Sequence, residues 1–227
     1  MISQTPLKPG RLRDQQRARG RAKGLSGGRA RIVERGFEAA TIRDIARRAG
    51  VATGSVFTTF SDKTELLLEV VFSRYGELLS EINQAIARSD GDPRARLMAA
   101  AGASYAVELR EERLLAEALA ASWRWTPAIE AEHRRRLEPL IQIIRSAVQD
   151  SMEKSQADQD GCELTIDMIF ACYLRNFRKA LFDNWGPQDL TALLAKQVNR
   201  ILGPREVIDP CAPTDYEVSL ERRLAKV

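Results

Sequence analysis

Apolar residues recur at three- and four-residue steps along most of this chain. That period predicts helices throughout and no sheet. From Thr41, Ile42, Ile45, Ala46 and Ala49 form one apolar stripe behind a hydroxyl N-cap, and Gly50 follows as a stop. Val51 restarts the pattern, and Val56 and Phe60 carry it through a second short helix, Thr53 to Thr59. Two short helices joined by a tight turn in this arrangement are a helix-turn-helix, whose second helix enters the DNA major groove. A helix from about Arg21 to Arg35 precedes the pair, with Gly36 as its stop.

Ser61-Asp62, with Glu65 reaching back as in a capping box, opens a helix expected to run unbroken to about Arg88, about 40 Å. Ser89 to Pro93 reads as a linker, with Asp92 as cap and Pro93 in the first turn. Further helices are predicted over Pro93 to Val107, Glu111 to Trp123, Pro127 to Glu153, Cys162 to Asn184 and Pro187 to Leu202. Lys154 to Gly161 reads as a polar loop. Pro204, Pro210 and Pro213 then interrupt the chain, and Thr214 to Lys226 is a short charged helix or unstructured. The fold class is all-α: an N-terminal three-helix helix-turn-helix domain and a C-terminal helical domain. The expected divisions are a disordered basic arm at 1–20, the helix-turn-helix domain at 21–65, a helical body at 66–204 and a tail at 205–227.

Charge sharpens this picture. The 227 residues carry a net charge of +4, but residues 1–63 hold 14 Lys/Arg against 5 Asp/Glu, and the rest holds 21 against 26. A basic head on an acidic body suits a phosphate-binding domain joined to a partner domain. Three cysteines, Cys162, Cys172 and Cys211, are too few and too scattered for a disulfide framework or a zinc site. With no signal-like N-terminus and no apolar run of about 18 residues, the chain reads as a cytoplasmic protein with no membrane partner.

The stretch ERGFEAATIRDIARRAGVATGSVFTTFSDKTELL is similar to the DNA-binding domain of the TetR (tetracycline repressor-like) family. Gly36, Phe37, Thr41, Ile45, Ala46, Ala49, Gly50, Val51, Gly54, Ser55, Val56, Phe57, Phe60 and Lys63 fit that family's pattern in register over roughly residues 30 to 70. The rest of the chain resembles it only in length and helical character. The resemblance implies DNA contacts at Thr41, Thr53, Ser55, Phe57, Thr58 and Lys63. From the residues themselves, Arg43 adds a phosphate contact and Gly54 and Thr59 complete the face of the reading helix. That helix has no Arg or Lys for a bidentate guanine contact, so its hydroxyls and methyl contacts must read the bases.

The sequence departs from the family in three places, one of them Thr58, where the family often has His. Phe57 stands where a Tyr often binds a phosphate. The first helix carries Gly24, Gly27 and Gly28, each costing about 1 kcal/mol relative to Ala, so it is expected to be short, frayed or ordered only on DNA. Gly24-Leu25-Ser26-Gly27-Gly28 also spells G-x-S-x-G, but what precedes it is Arg-rich and polar rather than the buried strand a nucleophile elbow needs.

The resemblance further implies a small-molecule pocket in the body, with Tyr75, Met98, Tyr105, Trp123, Phe170, Tyr173 and Phe177 as its candidate lining. His133, beside three arginines, reads as partly exposed. The implied effector is apolar or aromatic. A homodimer through the helices at 162–184 and 187–202 is implied likewise. The function expected is a transcriptional regulator, a repressor released from a palindromic operator by its effector. It is not an enzyme, and no cofactor or metal is called for. Two alternatives remain at this point: a non-specific architectural DNA-binding protein, and a helical enzyme retaining a relic head.

Overall fold

The computed structural model of the chain describes residues 9–89, 91–152 and 159–203. The C-terminal tail read at 205–227 lies outside them, as do residues 1–8 of the basic arm. Every regular element among the described residues is helical: α1 Pro9–Arg35, α2 Ile42–Ala49, α3 Thr53–Phe57, α4 Lys63–Ser73, α5 Tyr75–Ala87, α6 Pro93–Glu108, α7 Glu112–Ser122, α8 Pro127–Met152, α9 Gln159–Asp183 and α10 Pro187–Leu202. A 3₁₀ turn at Leu109–Glu111 joins α6 to α7.

The head is α1, α2 and α3, closed by α4. Thr41 Oγ1 accepts the Asp44 amide at 3.1 Å and caps α2, and Gly50 ends it in the left-handed region at φ 63°. Asp62 caps α4 through the Glu65 amide, while the Glu65 carboxylate takes the Ser61 amide at 2.6 Å. Ile32, Ile45, Val56, Phe60 and Leu66 are buried together at the centre.

Two expectations for the first helix need correction. Residues 9–20 of the expected arm are helical, part of one continuous α1. Pro9 suits the first turn, and the Arg, Gln, Leu and Ala residues that follow are good helix formers. The glycines do not fray it. Gly24, Gly27 and Gly28 lie on one face, where α1 crosses its neighbours. A β-carbon at Gly27 would come within 2.8 Å of Ala49 Cβ and 2.9 Å of the Ile45 carbonyl oxygen. Phe60 and Leu66 crowd Gly24 and Gly28 in the same way, at 3.0 and 3.1 Å. The low helix propensity is offset by close packing. The G-x-S-x-G run therefore sits inside a helix, with Ser26 exposed.

The long connecting helix is also not continuous. It breaks at Arg74, whose amide reaches back only to Val71 at 3.1 Å, and α5 starts at Tyr75. Arg74 is 5% exposed, and its side chain turns inward to Glu108 on α6, 2.9 Å away. The remaining helices pack around a core that includes Tyr105, Ile144, Ile169, Phe177 and Leu194.

Candidate nucleic-acid interface and ligand cavity

α3 buries one residue, Val56, and leaves Gly54, Ser55, Phe57 and Thr58 exposed, with Thr53 and Thr59 half-buried. Phe57 is 56% exposed, so a large ring stands on the surface beside the hydroxyls. Thr58 and Thr59 both donate to the Ser55 carbonyl, at 3.0 and 2.8 Å. That fixes their side chains and leaves their oxygens free to accept. Thr41 donates its proton to Asp44, which also pairs with Arg47 at 2.5 Å. Those contacts hold the Asp44 carboxyl below the usual range, the Thr41 hydrogen bond being the largest cause. Arg43 and Arg48 are exposed, with no ion pair among the described residues, and so are Arg17 and Arg19 on α1. Lys63 sits differently from its expected role. Its Nζ donates to the Phe37 and Glu38 carbonyls at 2.8 and 3.3 Å and lies 4.2 Å from the Phe37 ring centre. It braces the turn between α1 and α2.

The body holds a cavity of about 140 Å³ between α4–α5, α7, α8 and α9. Of the expected lining, Tyr75, Phe170, Tyr173 and Phe177 are there. Three candidates are not. Trp123 is 91% exposed, because α7 ends at Ser122 and the next residue turns outward. Tyr105 is fully buried behind Tyr173, donating to the Tyr173 carbonyl at 3.2 Å and taking the Asn176 amide at 3.3 Å. Met98 lines a separate groove between α6 and α10.

The polar wall of the cavity is built from Arg74, Glu108, Trp125 and His133, of which Arg74 and Glu108 had no assigned role in the sequence reading. Arg74 had a signal, since it stands four residues from both Val70 and Leu78, on the apolar face. His133 is half-buried, and it lines the cavity. Its Nδ1 is 2.5 Å from the Tyr75 hydroxyl and its ring lies edge-on to Trp125 at 4.6 Å. Burial lowers its pKa, favouring the neutral ring. Burial raises that of Glu108 against the opposing pull of Arg74. Ser104 and Tyr173 share a buried hydroxyl pair at 2.5 Å.

α7 has two working faces. Leu115, Ala118, Leu119 and Ser122 line the cavity. Leu114 and Ala121, on the other side, belong to the head core. From α7 Arg113 donates to the Glu34 carbonyl at 2.5 Å, and Glu117 takes the Phe37 amide at 3.1 Å. Just ahead of α7, Glu111 holds Arg29 of α1 at 2.9 Å and lies 3.4 Å from Arg74. Among the described residues no helix is long and apolar enough to cross a membrane, and no cluster of His, Cys, Asp or Glu could hold a metal.

A long first helix, two short ones joined by a capped turn, an exposed third helix and exposed arginines beside it define a helix-turn-helix head. Residues 25–70 match the family model of bacterial regulatory proteins of the tetR family, and the chain belongs to that family. The transcriptional activator FasR of Mycolicibacterium smegmatis is 40% identical over 74 residues, 33% of each chain, so this chain spans about a third of that relative's length. The transcriptional repressor KstR2 of Mycobacterium tuberculosis is 26% identical over 144 residues, 58% of this chain and 68% of the relative. The crystal structure of FadR from Bacillus subtilis in complex with stearoyl-CoA superposes with a TM-score of 0.61 at 16% identity, over 80% of this chain and 97% of that one. At that identity the superposition speaks for the fold.

Proposed function

We propose that this protein is a sequence-specific repressor in the cytoplasm that binds a palindromic operator as a homodimer and leaves it when a small molecule fills the body cavity. The observation that carries the reading is α7, a single helix with one face on the cavity and the other on the head. An occupant that shifts α7 also shifts the Glu34–Phe37 segment it holds, and with it the angle of α3. A change from 1:99 to 99:1 between head positions needs about 5.5 kcal/mol of preference for one state. Phosphate contacts fall to Arg43, Arg48 and the exposed arginines of α1. Base reading falls to Ser55, Thr58 and Thr59, with Phe57 and Gly54 allowing close approach. Lys63 acts by holding the turn behind them.

Leu164, Met168, Leu174 and Phe182 are exposed along α9, and Phe182 is 60% exposed. An apolar stripe of this kind is suited to pairing with its own copy, which would set two α3 helices on successive major grooves. Repression rather than activation is favoured by the KstR2 match, which is long enough to include much of the body, whereas the FasR match is shorter. Selection of bound duplexes from a random pool tests the proposal. It should enrich an inverted repeat whose half-sites lie about 10 base pairs apart or a multiple of that. Enrichment of an unpaired half-site, or of nothing, contradicts it.

A further inference from the structure

The cavity's polar side chains are almost all satisfied from within. Arg74 pairs with Glu108, Tyr75 with His133, Tyr173 with Ser104, and Ser122 donates to the Leu119 carbonyl. Trp125 is different. Its Nε1–H is buried and has no acceptor among the described residues, while its ring lines the cavity. A buried donor without an acceptor is costly, and an occupant that supplies one removes the cost. Arg74 Nε also lacks a hydrogen bond, but it lies 3.4 Å from Glu111, and the same guanidinium is paired with Glu108. An added anion would therefore meet two carboxylates already holding that cation. The volume, about 140 Å³, is close to the ~150 Å³ of an apolar cavity that accepts benzene. The rest of the lining is largely aliphatic and aromatic, including Leu137, Leu140, Phe170 and Phe177.

We propose that the cavity selects a neutral, single-ring compound bearing one oxygen acceptor, phenolic or carbonyl, which takes the Trp125 Nε1–H. This rests on reading the cavity as the effector site, but the binding step is measured without DNA. Ligand-detected NMR titrations of the full chain with phenol, toluene, benzoate and dodecanoate separate the possibilities. Phenol should bind about tenfold or more tightly than toluene, which lacks the acceptor. It should also bind more tightly than benzoate, which brings a charge, and dodecanoate, which exceeds the volume. Trp125→Phe should bring phenol down to the level of toluene. Equal binding of phenol and toluene, tightest binding of benzoate or dodecanoate, or no binding of any probe overturns the inference. If Trp125→Phe does not fold, the ranking on the unmodified chain decides alone. Phenol that binds with this preference yet leaves operator affinity unchanged would contradict the release mechanism and leave the ligand class standing. Release by a different compound would do the reverse.

Discussion

Gly27 shows how a residue's meaning depends on what it touches. Read along the chain it is a helix breaker. In the fold it is the point where α1 lies directly on α2, with Ala49 and the Ile45 carbonyl under 3 Å from any β-carbon. Gly27→Val should destabilise the chain by about 1–3 kcal/mol, because the clash is with backbone and a short side chain that cannot move aside. Gly20→Ala, on the same helix with open space around it, should stabilise by up to about 1 kcal/mol. Denaturant unfolding of both variants checks the contrast. The same limit explains Trp123 and Trp125. Both are aromatics near a predicted helix end, and two residues of turn geometry decide that one faces water and the other the cavity.

Among the elements, those bounded by local chemistry were legible. Thr41, Asp62 and Asp92 each cap a helix as their residue type predicts, and α10 runs over the same residues in sequence and structure. The break between α4 and α5 was not legible, because its cause is remote. Arg74 turns inward to reach Glu108 and Glu111, more than 30 positions further on. Arg74→Met should cost about 3 kcal/mol, since it strands buried carboxylate charge on Glu108. Arg74→Met with Glu108→Leu should recover much of that loss, because two apolar groups then replace the pair. Additive losses in denaturant unfolding would show that the pair is not the source. The α1 helix taught the opposite lesson about arms. A basic, polar stretch without core residues still forms a helix when its residues are good helix formers and it continues a helix that is packed.

For the molecule as a whole, the division into a basic head and an acidic body was visible in charge alone, and the TetR-like pattern between Gly36 and Lys63 located the head. The charged part of the cavity wall was not visible, because Arg74 and Glu108 come from separate segments and meet only in the fold. The central claim is that the exposed face of α3 reads base sequence rather than only holding phosphates. Its most direct measurement is the equilibrium affinity of the chain for its selected operator and for a scrambled duplex of equal length and composition, across a salt series. The account expects the operator to be favoured about 10³-fold or more at physiological salt, with both affinities falling as salt rises. Equal affinity for the two duplexes at every salt concentration would contradict it.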